Sequence, residues 1–260
     1  MLKKHLIPCT VILVLLVMAK VFAYTLPEVK TSLKNTTTTT IVKEAEEPAF
    51  TLAQLEFAEE TLPLGDNRID RKMKKVLASF RYQNLQTNRL HRKAAEWFPV
   101  IEPILAEYGI PNDFKYMPLV ESGLQGGTSP KGAAGFWQFM PATARMYGLK
   151  VNGSIDERKN LRKSTIAACK YIKELYGIFD SWTLVAAAYN VGDMHMKRQI
   201  NKQKQDNYFK MKLNSETGGY VYKLISMKEI LENPYRNGYE NQKAFIAYDA
   251  QKPQAITLVE

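Results

Sequence analysis

One carboxylate lies on an otherwise apolar helix face near the middle of the chain. In the segment 111–122, Phe114, Met117 and Glu121 recur at helical spacing and therefore share a face. Gly123 is a predicted helix end, so Glu121 lies against apolar neighbours at the negative end of the helix dipole. Both surroundings raise a carboxyl pKa above its ordinary value of about 4.3. A carboxyl protonated near neutral pH can act as a general acid; the alternative is a glutamate that points into water.

A loop rich in small residues follows this segment. Glycine and alanine dominate residues 126–135, and Phe136, Trp137 and Gln138 come directly afterwards. Small residues let the backbone approach a ligand closely. Sugar rings need apolar faces to stack on, and amides and hydroxyls to hydrogen-bond. The segment therefore indicates either a carbohydrate-binding wall or a glycine-rich loop followed by aromatic residues of the core.

A third element, residues 186–192, has polar groups at the end of an alanine-rich helix. Three consecutive alanines permit close helix packing, and Tyr189 and Asn190 end the helix before Gly192. Taken alone, this element is a weak indication of function.

Short helices must position these three elements. Helical spacing of apolar residues and end signals at proline, serine and glycine predict helices over 68–82, 90–108, 111–122, 141–147, 164–176, 182–190 and 217–231. Pro118 predicts a kink within its helix, Gly177 predicts a helix end, and Ser181 predicts an N-cap. One apolar stripe is predicted to belong to the core, namely Thr165, Ala168, Ile172 and Leu175. Alternating strand patterns are nearly absent, so we predict a mainly α domain over 52–240.

The N-terminus carries an export pattern. Lys3 and Lys4 precede an apolar run over 11–19, and small or branched residues end at Ala23. This pattern predicts a signal peptide over 1–23, because the run is too short for the roughly 20 residues of a spanning helix. The alternative is a retained anchor that would associate the protein with the envelope through its N-terminus. Residues 24–51, with an uninterrupted threonine run, are predicted to be a flexible linker, and 241–260 form an uninformative tail.

Composition and charge limit the function classes. The 260 residues are 45% hydrophobic and 24% charged, which excludes a disordered or collagen-like chain. The net charge of +10 favours an anionic partner, and the export pattern makes an envelope polymer a better fit than nucleic acid. The histidines and cysteines are scattered, so no metal site or cofactor is predicted. Cys169 is expected to be a small apolar helix residue, and the sequence indicates no oligomeric state.

Three ordered motifs together resemble a known family. Residues 121–123 (Glu-Ser-Gly), 132–144 (from Gly-Ala-Ala-Gly-Phe-Trp-Gln to Pro-Ala-Thr-Ala) and 188–192 (Ala-Tyr-Asn-Val-Gly) resemble lytic transglycosylases with a goose-lysozyme-like SLT domain. The closest resemblance is to the membrane-bound lytic murein transglycosylase D type, whose features are echoed at 147–149, 156–158 and 216–221. The similarity covers about residues 95–234, and the ordered set is specific. It implies a lysozyme-like fold of short packed helices.

The resemblance also implies a reaction and its residues. The family cleaves the β-1,4 bond between N-acetylmuramic acid and N-acetylglucosamine in peptidoglycan glycan strands and leaves a 1,6-anhydro end. By this match Glu121 would act first as acid and then as base. Gln138, Tyr189 and Asn190 would line the glycan groove, and Tyr220 would reach toward the reacting sugar.

The roles of two serines are left open by the resemblance. Ser122 and Ser129 would bond either Glu121 or the acetamido group of the substrate. Residues 156–158 are expected to begin a helix rather than to form a site.

Two rival functions follow from the same residues. A hydrolytic muramidase on this fold would need a second carboxylate about 5–9.5 Å from Glu121, and Asp156, Glu157, Asp193 and Glu216 are the candidates. A non-catalytic wall-binding protein would keep the groove alone, and the glutamate at position 121 argues against it.

Overall fold

The computed structural model describes residues 51–63, 65–122 and 127–239, apart from the side chain of Ala53. The predicted signal peptide, residues 24–50 of the predicted linker, and the C-terminal tail lie outside this part of the chain. The loop residues 123–126 lie outside it as well.

The described residues are mainly helical, as predicted. The α-helices are α1 (Asn67–Phe80), α2 (Tyr82–Leu85), α3 (Arg89–Glu107), α4 (Met117–Glu121), α5 (Pro141–Met146), α6 (Leu161–Phe179), α7 (Trp182–Val191), α8 (Asp193–Gln203) and α9 (Ser215–Glu232). Turns of 3₁₀-helix occupy Leu52–Gln54, Asn112–Tyr116, Glu157–Lys159, Tyr208–Lys210 and Tyr235–Asn237. The two short strands β1 (Glu56–Phe57) and β2 (Glu60–Thr61) pair in antiparallel register, with Phe57 opposite Glu60.

The centre of the fold is α9, which is buried on nearly all sides between Thr217 and Leu231. It packs against α1, α7 and β1, while α6 packs against both α3 and α7. A helix without an exposed polar face is stable only inside a core, which explains the weak amphipathic pattern of this segment. The predicted stripe on α6 is buried, and so is Cys169. Burial raises the pKa of the Cys169 thiol to about 12, so this cysteine remains a protonated core residue.

The helices of the structure differ from the predictions in several places. The helix predicted to end before Gly177 continues to Phe179 and ends at Asp180, which takes the left-handed conformation. Gly177 remains inside α6, because a glycine at an exposed position weakens a helix without stopping it. The predicted helix 68–82 breaks at Arg81, whose extended backbone separates α1 from α2. Finally, α8 was not predicted from the sequence, because its strongly polar residues show no apolar periodicity.

The hairpin formed by β1 and β2 caps the helix that carries Tyr189 and Asn190. The Glu60 carboxylate accepts hydrogen bonds from the backbone N–H groups of Trp182 and Thr183, the second at 3.1 Å. The Thr183 hydroxyl also donates to it at 2.6 Å, and the Ser181 hydroxyl does so at 3.0 Å. A carboxylate at a helix N-terminus satisfies unpaired N–H groups and stabilises the helix dipole. The predicted N-cap Ser181 also accepts from the N–H of Leu184.

Candidate active site

Glu121 is the last residue of α4. The segment 111–122 is not one helix kinked at Pro118; a 3₁₀ turn over Asn112–Tyr116 leads into α4, whose second residue is Pro118. Proline is tolerated in a first helical turn, because its missing N–H has no partner there. Phe114 and Met117 are fully buried, as the apolar face predicted. This anchored face holds Glu121 at the edge of the core, where the residue is half-buried.

The carboxyl of Glu121 lies in an environment that favours its protonated form. Burial raises its pKa from 4.5 to about 7, and the negative charge of Glu216 acts in the same direction. The Tyr220 hydroxyl donates a hydrogen bond to Oε1 at 2.5 Å and, with the charge of Lys223, opposes this rise. A pKa near neutral lets the group both give and take a proton, as a group that acts as acid and then as base must.

Glu121 lines an open cavity of about 620 Å³, a volume that fits sugar units. The cavity is lined by Glu121, Ser129, Pro130, Lys131, Ala133, Gln138, Phe139, Met140, Thr143, Tyr171, Tyr189, Asn190, Val191, Gly192 and Glu216. Four of the six predicted substrate-binding residues therefore face the same space as Glu121.

The other two predicted residues, Ser122 and Tyr220, are almost fully buried beside Glu121 rather than part of the cavity wall. The Tyr220 hydroxyl contacts the Glu121 carboxyl directly, so the structure places it behind the acid. Ser129 lies in the wall, where its hydroxyl accepts a hydrogen bond from the N–H of Ala133 at 3.1 Å.

The loop that carries Gln138 is fixed from two sides. The Gln138 amide donates to the carbonyl of Gly135 at 2.8 Å and to that of Gly127 at 3.1 Å. The buried Arg158 guanidinium also binds this loop, donating to the carbonyls of Gly132 at 2.8 Å and Phe139 at 3.0 Å. These bonds hold both ends of the turn in one conformation, so Gln138 is positioned before any ligand arrives.

Gly135 makes the close approach of this loop to Arg158 possible. A Cβ at position 135 would lie 1.9 Å from the Arg158 carbonyl oxygen, and φ at this glycine is +79°. Asp156 accepts hydrogen bonds from the N–H of Arg158 and from its guanidinium, so it begins the 3₁₀ turn over 157–159. Residues 156–158 are therefore structural, as expected, and they support the cavity wall.

Two aromatic residues of the loop pack against the core of the protein. Trp137 is fully buried and its indole N–H donates to the Thr165 hydroxyl at 3.0 Å. Phe136 packs edge-on against Trp97, with ring centroids 5.0 Å apart. Of the two alternatives for this segment, the structure favours the aromatic residues of the core, because Trp137 is fully buried and Phe136 is partly buried and packed against the core. Met140, Phe139 and Tyr171 supply apolar surface to the cavity instead.

Tyr189 and Asn190 use their polar ends within the protein. The Tyr189 hydroxyl donates to the Trp137 carbonyl at 2.9 Å and thereby ties α7 to the Gln138 loop. Burial and the nearby Glu121 charge raise the Tyr189 pKa well above its ordinary value, so its hydroxyl keeps its proton. Asn190 Oδ1 accepts a hydrogen bond from the Thr217 hydroxyl at 3.1 Å. The sequence did not predict this contact between Thr217 and Asn190, because no local pattern relates α7 to α9.

Of the four candidate second carboxylates, Glu216 lines the cavity. It lies in the first turn of α9 and is exposed. Asp156 is paired with Arg158, and Glu157 with Lys163 at 2.6 Å. Asp193 begins α8 and is not part of the cavity wall. The structure therefore brings one further carboxylate to the space that Glu121 faces.

Within the described ranges, no group of three or more histidine, cysteine, aspartate or glutamate side chains is arranged to hold a metal ion. No helix in this same part of the chain is both long and apolar enough to cross a bilayer.

Comparison with known proteins agrees with the motifs. Residues 100–212 match the family model described as Transglycosylase SLT domain. The chain is 36% identical over 135 residues to membrane-bound lytic murein transglycosylase D of Escherichia coli (strain K12), a match that covers 50% of this chain and 30% of that protein. It is 32% identical over 117 residues to a putative tributyltin chloride resistance protein of Alteromonas sp. (strain M-1), covering 43% of this chain and 56% of that protein. These matches span less than two thirds of either relative.

Proposed function

We propose that the chain cleaves the glycan strands of peptidoglycan as a lytic transglycosylase, because residues 100–212 match the family model described as Transglycosylase SLT domain. The observation that carries the proposal is the Glu121 carboxyl, which has a pKa of about 7 and lines a cavity large enough for sugar units. The relative from Escherichia coli is named a lytic murein transglycosylase, which supports the same substrate.

In the proposed reaction one carboxyl serves twice. Protonated Glu121 gives its proton to the oxygen that links muramic C1 to the next sugar, and this C1–O bond breaks. The resulting Glu121 carboxylate then takes the proton of the muramic C6 hydroxyl, whose oxygen bonds to C1. The product is a 1,6-anhydro ring, no water is consumed, and Glu121 ends protonated again. The substrate's acetamido group stabilises C1 in place of a second carboxylate.

The cavity supplies the binding groups for this reaction. Phe139, Met140 and Tyr171 offer apolar surface to sugar rings, while Gln138 and Asn190 offer amides to hydroxyl and acetamido groups. Ser129 is a further candidate hydrogen-bonding group in the wall. Tyr220 and Ser122 are proposed to support the carboxyl from the protein side, because both are buried.

The rival reaction is hydrolysis, and the position of Glu216 gives it a specific basis. A hydrolytic muramidase needs a second carboxylate to activate water or to stabilise the cation at C1, and Glu216 lines the same cavity as Glu121. If Glu216 had that role, replacing it by glutamine would abolish cleavage. A wall-binding role without catalysis would instead leave peptidoglycan intact.

Mass spectrometry of the sugar products separates these cases. Purified peptidoglycan is incubated with the wild-type protein, with Glu121→Gln and with Glu216→Gln. We expect muropeptides lighter by one water from the wild type and from Glu216→Gln, and none from Glu121→Gln. Products with reducing ends that disappear in both variants would establish the hydrolase, and absence of cleavage by the wild type would refute the proposed function.

We also propose that the protein is exported and acts in the periplasm or cell envelope. The predicted signal peptide over 1–23 supports export, and a peptidoglycan substrate requires it. N-terminal sequencing of the mature protein tests this proposal. A first residue at Tyr24 is expected, whereas an intact N-terminus in the membrane fraction would establish the retained anchor.

A further inference from the structure

We propose that Tyr208, which lies outside the substrate cavity, is a positioning residue that holds Tyr220 and Thr217 in place for the active site. The inference rests on the proposed function for its effect on turnover. Its effect on the Glu121 carboxyl can be measured without substrate.

The Tyr208 hydroxyl lies against the backbone of α9. Tyr208 is almost fully buried, and its hydroxyl donates to the carbonyl of Thr217 at 2.7 Å. The same oxygen accepts from the N–H of Val221 at 3.3 Å. Thr217 and Val221 flank Tyr220, so one buried hydroxyl fixes the turn of helix that presents the tyrosine to Glu121.

This turn of α9 is intrinsically weak. Two consecutive glycines, Gly218 and Gly219, lie in it, and glycine is the poorest helix former apart from proline. A Cβ at Gly218 would lie 3.3 Å from Nζ at the flexible end of Lys72 and 3.5 Å from Leu213, so space there is limited. A Cβ at Gly219 would meet nothing within 4 Å. The hydrogen bonds of Tyr208 therefore order a turn that its own sequence does not favour.

Both functional side chains of this turn depend on its position. The Thr217 hydroxyl donates to Asn190 in the cavity wall at 3.1 Å, and the Tyr220 hydroxyl donates to Glu121 at 2.5 Å. Movement of this turn would lengthen both bonds, and the Tyr220 bond acts directly on the Glu121 carboxyl. The other groups that act on the Glu121 carboxyl are Glu216 and Lys223 of α9, while Tyr189 of α7 lies close enough to sense its charge.

The test compares two tyrosine-to-phenylalanine variants of the full chain. Tyr208→Phe removes the hydroxyl against α9. Tyr239→Phe is the matched control, because Tyr239 is also fully buried and its hydroxyl donates to the Phe80 carbonyl at 2.5 Å, outside the cavity wall. Both variants remove a buried hydroxyl that donates to a backbone carbonyl, and Tyr208→Phe also removes the acceptor of the Val221 N–H. The control therefore reports the loss of stability expected from removing one such hydroxyl.

We expect Tyr208→Phe to raise the pKa of Glu121 by about half a unit or more, read from its carboxyl carbon by NMR titration without substrate. The pKa rises because the bond from Tyr220 stabilises the charged form. We also expect kcat on peptidoglycan to fall by roughly tenfold with little change in KM. The alkaline limb of the pH–rate profile should shift to higher pH. Tyr239→Phe should leave the pKa and kcat unchanged.

A double variant, Gly219→Ala with Tyr208→Phe, tests whether strengthening the helix turn compensates for the lost Tyr208 hydroxyl. Alanine favours the helix at a position with room for a Cβ, so it should restore part of the pKa and of kcat. The double variant also supplies a folded protein if Tyr208→Phe alone unfolds. A Glu121 pKa in Tyr208→Phe that equals the wild-type value overturns the proposal. If that variant does not fold, a pKa in the double variant that equals the pKa in Gly219→Ala alone overturns it. If the wild type fails to cleave peptidoglycan, the proposed function is refuted, and the NMR titration still decides whether Tyr208 positions Tyr220.

Discussion

Replacing Glu121 by glutamine should remove activity and stabilise the protein at the same time. Burial raises the pKa of this carboxyl from 4.5 to about 7, which means that the folded protein binds the proton more tightly than the unfolded chain. As pH rises from 4.5 to 7, the unfolded chain gives up this proton and the folded protein retains it, so the free energy of unfolding falls. Above pH 7 the whole cost is present, since both states are then ionised and the folded one holds a buried charge.

The size of this effect follows from the pKa difference. Each pKa unit corresponds to about 1.4 kcal/mol, so the raised pKa of Glu121 costs about 3 kcal/mol of stability above pH 7. Glutamine has nearly the same shape, can still accept the Tyr220 hydrogen bond, and carries no charge. We therefore expect Glu121→Gln to be about 3 kcal/mol more stable than the wild type at pH 8, and no more stable than the wild type at pH 4.

Urea unfolding at intervals from pH 4 to pH 8.5 measures this difference. Glu107→Gln is the matched control for the loss of one glutamate carboxylate, because Glu107 is exposed at the end of α3. Cleavage of peptidoglycan by Glu121→Gln should fall by about 10²–10⁴, the usual contribution of general acid catalysis. A stability difference that stays constant across this pH range would refute the raised pKa, and with it the reasoning that makes Glu121 the acid.

Two further substitutions test the elements that hold the cavity together. Glu60→Gln should lower the free energy of unfolding by about 1–2 kcal/mol, because it removes the negative charge at the start of α7; an unchanged urea midpoint would contradict this. Gly135→Ala should cost more than about 2 kcal/mol and reduce cleavage, because its Cβ would overlap the Arg158 carbonyl oxygen. Gly132→Ala is its control in thermal unfolding, because it shares the positive φ but has open space for a Cβ, so equal losses would disprove the steric argument.

Sequence patterns predicted which residues share a local face. The spacing of Phe114, Met117 and Glu121 predicted an apolar face with one carboxylate at its end, and the structure has this arrangement. Helix-end signals such as Ser181 predicted the start of α7 correctly. These predictions succeeded because helical periodicity and capping depend on residues only a few positions apart.

Tertiary structure decided which of these faces meet. The hydrogen bond from Tyr220 to Glu121 joins residues 99 positions apart, and the presence of Glu216 in the same cavity depends equally on how α9 packs. No local pattern shows that Trp137 is fully buried while its neighbour Gln138 lies in the cavity wall. The side chains point in different directions because the backbone turns at Gln138, where φ is positive. The raised pKa of Glu121 was expected from its local surroundings, but its opposing partners became visible only in the fold. Burial and charge act through space, so their balance is fixed only when distant segments pack together.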